Sequence, residues 1–267
     1  MIAVIALGPW ELALAAALIL VNAAVSLALR LGLERRLLLA SVRTLVQLLL
    51  LGTVLQWVFR QEGPWAVLAT MLVMALLAGF EAVRRTTHRV RGGFALSMGV
   101  MFVSSMTVTF YGLLVVIRVD PWYAPQYAVP ILGMLLGNTL NGISLGLETA
   151  LDGFRRDREE VEMLLAHGAT RREASRRVVR RAVRTGMIPI LNSIIAAGII
   201  SIPGMMTGQI LAGQDPAHAA RYQIFILFSI AAGVALGTMG VVFAATRLVF
   251  DERDRLRADR IERVRTS

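Results

Sequence analysis

The chain has 267 residues, 56% of them hydrophobic and only 17% charged, with a mean hydropathy of +0.65. That balance excludes an ordinary soluble domain, where about a quarter of the residues carry charge. All 28 basic residues are Arg, and there is neither Lys nor Cys, which excludes a P-loop with its phosphate-reaching Lys, a disulfide and a thiolate metal site.

Seven apolar runs are long enough to cross a bilayer as helices, at about 10–29, 37–59, 64–83, 93–117, 127–147, 186–203 and 223–246. The expected fold is therefore an all-α polytopic membrane protein of about seven transmembrane helices. The first run is full length and has no basic stretch before it, so it reads as a retained span rather than a cleaved signal. Alternate connections hold 24 Arg and the intervening ones 3. The positive-inside rule then puts the N-terminus outside and the C-terminus in the cytosol of a cell-membrane protein. A net charge of +10 distributed in this way suits a bilayer, and no nucleic-acid partner is expected. Trp10, Trp57, Trp65 and Trp122 fall near span ends, where amphipathic rings favour the interface.

Polar residues inside the spans are the candidates for function. The second span carries Arg43 and Gln47 four residues apart on one face. The third ends at Glu81, beside Arg84 and Arg85, an interfacial ion pair, and the basic hairpin 84–91 suits anionic headgroups. Small and hydroxyl residues crowd the fourth span and predict close helix packing. In the fifth, Gly133 and Gly137 form a G-x-x-x-G face, and Asn138 and Asn141 lie three apart on one side.

The most charged stretch, Asp152 to Arg184, holds ten Arg and six acidic residues between the fifth and sixth spans. Residues 162–166 predict a short helix that could sit in a partner's groove. Gly168 suits the left-handed turn that ends it, and Thr170 with Glu173 three residues on is a capping-box pattern.

The sixth span starts with Pro189 in its first turn, followed by Asn192, and stops at Pro203-Gly204. The ten or so apolar residues after that break are too few to cross again, so they read as a re-entrant or outer-leaflet segment. Met205 and Met206 are weak candidates for soft metal ligands, adaptable packing being their commoner use, and Gln209 follows them. Asp215-Pro216 opens a short outer helix before the seventh span. The tail 251–267 alternates in sign and predicts a solvated helix or disorder.

Together these motifs resemble two related patterns. An acid at Glu162 with Gly168 six residues on is similar to the coupling loop of ABC-transporter permeases, although Arg181 stands where many of those permeases have Pro. Over about 10–250, the chain resembles the FetB-type iron-export permeases of bacterial ABC transporters and their plant aluminium-tolerance relatives. The residues that carry this are Ser41-Val-Arg43 with Gln47, Pro130-Ile-x-Gly133-Met134 with Gly137-Asn138, Gly168-Ala-Thr170, and Pro203-Gly-Met-Met-x-Gly208 followed by Asp215-Pro216 and Tyr222-Gln223.

The resemblance implies a single permease domain over 1–250, with a coupling loop at 152–185 and a basic cytosolic tail. It implies a homodimer paired with a separate ATP-binding-cassette subunit that binds the ATP, this chain holding no cofactor. Glu162, Leu165, Gly168, Ala169 and Thr170 would face that subunit. Arg43, Gln47, Asn138, Asn141, Asn192, Pro203, Gly204, Met205, Met206 and Gln209 would line the translocation route. The solute would be iron or another metal. The embedded groups are amides, hydroxyls and thioethers, so an organic solute such as a nucleotide sugar is the alternative. An intramembrane enzyme is the remote one. Gly142-Ile-Ser144-Leu-Gly146 fits a nucleophile elbow, but the three His fall in the connections and the Ser lacks a base. A passive channel would leave the coupling-like loop unexplained.

Overall fold

The computed structural model describes residues 8–61 and 63–263. The chain divides into two compact units, one holding the first 62 residues with 211–214, the other the remainder.

The first unit contains the hairpin of α1 (Pro9–Ala28) and α2 (Glu34–Phe59). Ser26 ties its turn together, donating to Glu34 Oε2 at 3.0 Å and accepting from the Leu33 N–H at 3.1 Å. Leu14, Leu18, Leu45, Leu48 and Leu49 are each more than half exposed, a surface suited to lipid rather than water.

The second unit contains α3 (Pro64–Arg84), β1 (His88–Val90), α4 (Gly93–Tyr111) continued by a π-helical stretch (Gly112–Ile117), α5 (Pro125–Arg156), α6 (Arg158–Ala166), α7 (Arg171–Ala196), α9 (Pro216–Val249) and β2 (Ile261–Arg263); the short α8 (Gly204–Leu211) precedes α9. Close contacts set the helix directions. Met74 and Ala82 of α3 meet Gly133 and Ser144 of α5, so these two helices run the same way. So does α9: Leu135 lies against Gly233, Ile143 against Gly237, and Phe154 meets Phe250 edge to face. By contrast, α4 and α7 run the opposite way, with Gly112 against Phe225 and Gly142 and Gly153 against Gly186 and Val178.

Among the described residues, six helices are long and apolar enough to cross a membrane: α1, α2, α3, α4 with its π-helical extension, α5 and α9. The run expected at 186–203 is not a separate helix. It is the second half of α7, which begins at Arg171 and stops at Ala196. Pro189 therefore lies deep inside a helix rather than in a first turn. The charged stretch takes the form of a short helix, a Gly break and a second helix that runs on into the apolar sequence: α5 continues to Arg156, and α6 and α7 take up the rest. Nor is there a separate outer helix after Asp215. Asp215 caps one continuous 34-residue helix, its Oδ2 accepting from the His218 N–H at 2.9 Å.

The packing face of α5 is only partly the expected one, since Gly133 meets Met74 of α3 but Gly137 is exposed. A methyl group on Gly137 would meet nothing within 4 Å, whereas one on Gly142 would come within 2.6 Å of Thr238 Oγ1. Gly142 and Gly146 thus serve helix contact, and the buried Ser144 hydroxyl between them donates to the Ala82 carbonyl at 2.9 Å. The Glu81–Arg85 pair forms as expected, at 3.6 Å.

Residues 251–263 of the tail fold back where a solvated helix or disorder was expected, and 264–267 lie outside the described residues. β2 pairs antiparallel with β1, and Leu256 and Ile261 are buried. One carboxylate anchors the other half of this small sheet. Glu148 of α5 accepts from the backbone N–H groups of Thr87 and His88 at 2.8 and 3.0 Å and meets His88 Nδ1 at 2.7 Å. The basic hairpin 84–91 is therefore held against the bundle. Glu148→Ala should lower stability by about 1–3 kcal/mol, the usual cost of orphaning buried donors. The check is a thermal melt in detergent, with helix content before the transition expected to be unchanged.

Candidate functional site

The segment expected to meet a partner is built by helix-end chemistry. α6 ends in a Schellman motif: Gly168 adopts φ +88°, its N–H donates to the Leu165 carbonyl, and the Ala169 N–H donates to the Leu164 carbonyl, both at 3.0 Å. Thr170 then caps α7 in the expected capping box. The Glu173 carboxylate accepts from the Thr170 N–H at 2.8 Å, and the Glu173 N–H donates to Thr170 Oγ1 at 3.3 Å. Those hydrogen bonds from Thr170 hold the Glu173 carboxyl below its ordinary range.

Charge clamps α6 onto α7. Arg177 pairs with Glu160 and, at 3.2 Å, with Asp157, while Arg181 reaches Asp157 at 3.9 Å. Burial alone would raise the Asp157 carboxyl. The hydrogen bond and charge of Arg156, with the charges of Arg177 and Arg181, outweigh it and hold the group below its ordinary value. Asp157 therefore contributes this stability fully above the unfolded-state carboxylate range and loses it only as pH falls through the depressed value.

The clamp leaves one side of α6 open. Glu162, Leu165, Ala166 and Ala169 line a groove of about 660 Å³ whose other wall is the folded tail, Arg253 to Asp259. Glu162 accepts from Arg158 Nε at 2.7 Å, and Met163 is exposed. Arg171 of α7 holds the tail, 3.4 Å from Asp254 and stacked over Phe250. The tail's part in this surface escaped the sequence reading, as did Asp157 and its two arginines, although the i,i+4 spacing of Arg177 and Arg181 hinted at a shared partner.

The residues expected to line a route lie on α2, α5 and α7, in the turn before α8 and on α8. Arg43 and Gln47 lie exposed on α2 in the first unit. On α5, Asn141 is exposed and accepts from the Arg85 guanidinium at 3.0 Å, while the half-buried Asn138 donates to its own helix at Met134. Asn192 is exposed on α7. Pro203 precedes α8, which carries Gly204, Met205, Met206 and Gln209 and buries no residue fully. The Gln209 amide oxygen is nonetheless sealed from solvent with no hydrogen-bond partner among the described residues. Gln223 of α9, part of the motif that carries the resemblance but not of the expected route, is in the same state. Among the described residues no cluster of three His, Cys, Asp or Glu is placed to hold a metal ion.

The description of the uncharacterised protein family UPF0014 matches residues 9–250. A UPF0014 membrane protein of Synechocystis is 38% identical over 229 residues, covering 85% of this chain and 87% of that one. The Arabidopsis thaliana protein ALUMINUM SENSITIVE 3 is 35% identical, with 80% and 77% covered. The probable iron export permease protein FetB of Escherichia coli is 26% identical, with 92% and 93% covered. No solved structure matches the chain. With six membrane-length apolar helices and a family match over nearly its whole length, the chain is a multi-pass membrane protein that belongs to the UPF0014 family.

Proposed function

We propose that this chain is the permease subunit of an ABC transporter that exports iron or another metal, with ATP bound and hydrolysed by a separate subunit. The observation that carries this reading is the clamped helix α6 with its left-handed exit at Gly168. It is short, outward-facing and braced by ion pairs, as a part that transmits force must be. The ATPase subunit docks on Glu162, Leu165, Gly168, Ala169 and Thr170. The relatives' names support the transport role, since one is a probable iron export permease and another is named for aluminium sensitivity. The chain acts as a transport subunit and not as an enzyme.

In this reading the chain crosses the membrane seven times, with its N-terminus outside and its C-terminus cytosolic. The parallel course of α5 and α9 supports this, because the chain between them must return through the bundle. The second half of α7 and the break before α8 make that return. Introduced Cys provides the test, since the chain has no native Cys. Cys at Gly63 or Asp120 should react with an impermeant thiol reagent from outside, and Cys at Arg89 or Arg158 should not; all four positions are exposed. The reverse pattern would overturn the orientation.

Two copies pair, and the route between them uses Asn138, Asn141, Asn192 and the broken segment from Pro203 to Gln209, with Arg43 and Gln47 at its cytosolic mouth. The orphaned amide oxygen of Gln209 supports a polar path at the helix break. The lack of a metal-holding cluster among the described residues favours a second reading, an organic solute such as a nucleotide sugar. ATP hydrolysis by the reconstituted complex separates the two: stimulation by Fe(II) supports metal export, and stimulation only by organic solutes supports the alternative.

A further inference from the structure

The arginines of α7 divide into two sets. Arg171, Arg177 and Arg181 have carboxylate partners. Arg172, Arg176, Arg180 and Arg184 follow one another at four-residue steps along an exposed face, and no carboxylate pairs with them among the described residues. Arg247 of α9, likewise without one, joins them across a groove of about 1030 Å³. The only carboxylate lining that groove is Glu173, already engaged in capping α7.

We propose that this groove binds the phosphodiester head group of an anionic phospholipid in the leaflet on the α6 side of the bundle. Guanidinium forks suit phosphate oxygens, and several in one groove favour an anion that water alone does not replace. The rest of the groove identifies the source of the phosphate. Its apolar wall is Val179, Val183, Met239 and Phe243, the last two within the membrane-spanning α9. Phe243 is 54% exposed, and Leu236 beyond it is 47% exposed. A water-soluble partner cannot follow the groove to that depth, and a second copy would bring the same unpaired positive charge. An acyl chain leaving the phosphate along Phe243 fits both halves, as basic pockets between membrane helices do for anionic lipids.

The test uses the full chain purified in mild detergent, with native mass spectrometry reading bound lipid from equal amounts of phosphatidylglycerol and phosphatidylcholine. Wild-type protein should retain phosphatidylglycerol at least about tenfold over phosphatidylcholine. Arg180→Gln with Arg184→Gln should abolish that preference, Arg180→Lys with Arg184→Lys should keep part of it, and Arg155→Gln with Arg221→Gln on exposed positions elsewhere should keep all of it. An equal loss in both glutamine pairs would mean a diffuse charge effect and would overturn the proposal. So would displacement of the lipid by millimolar inorganic phosphate, which would assign the groove to a free anion, or separation of the protomers by the Arg180/Arg184 change with lipid retention intact.

Discussion

Gly186→Val is expected to remove folded protein from the membrane almost completely. A Cβ at Gly186 would stand 2.5 Å from Thr238 Cγ2 and 2.7 Å from the Gly142 carbonyl oxygen. The first contact is with a side chain, but the second is with the backbone of α5, so relief requires the two helices to move apart. That movement would open the centre of the bundle, where α5, α7 and α9 meet. Overpacking of this kind costs typically about 1–3 kcal/mol, and a branched side chain against backbone belongs at or above the top of that range. Size-exclusion profiles in detergent should show loss of the monodisperse species. Gly137→Val on the exposed side of α5 should leave it intact, since nothing lies within 4 Å of its added Cβ. Combining Gly186→Ala with Thr238→Ala should rescue only part of the loss of Gly186→Ala, because the Gly142 carbonyl remains in the way.

The second large effect is expected on function with the bundle preserved. Gly168→Pro forces φ from +88° to about −65° and removes the N–H that donates to Leu165. The exit from α6 then cannot form, and the surface of Glu162, Leu165 and Ala169 is re-aimed. Transport should fall at least about tenfold while ATP hydrolysis by the proposed partner subunit continues without solute control. Glu162→Arg should act in the same direction by placing a cation beside Arg158, its present partner. Gly168→Ala should be milder, since a left-handed non-glycine residue costs roughly 1–2 kcal/mol. Normal transport by both Gly168→Pro and Glu162→Arg would reduce the segment to a solvated connection.

What the sequence revealed follows how local each cause is. The Gly168 turn and the Thr170–Glu173 box depend on residues at most a few apart, and both formed as read. Hydropathy located α1 to α4 within a few residues but undersized α5 and α7, because a helix is held by backbone hydrogen bonds that persist through Arg-rich sequence. That is why α7 runs unbroken through Arg171–Ala196, and why Pro189 falls in its interior. Glycine's role was misassigned for a different reason. Gly133-x-x-x-Gly137 and Gly142-x-x-x-Gly146 look alike along the chain, but of the first pair only Gly133 meets a neighbour, Met74, while both of the second pack on Thr238 of α9. The fold-back of the tail was hidden because His88 and Arg263, its paired residues, stand far apart in sequence. Among the expected route residues, Asn138 and Asn141 were legible as embedded amides, but Asn141's bond to Arg85 depends on the packing of α3 against α5.

The most direct measurement is site-specific cross-linking of this chain, co-expressed with the proposed ATP-binding-cassette subunit, from single Cys introduced in place of Leu165 and of Ile199. Leu165 lines the open groove of α6, and Ile199 is highly exposed at the break after α7. The account predicts a cross-link from Leu165→Cys to the ATPase subunit, none from Ile199→Cys, and loss of the first when Gly168→Pro is added. Cross-linking from Ile199→Cys alone, or solute transport by the chain with no ATPase subunit present, would contradict it.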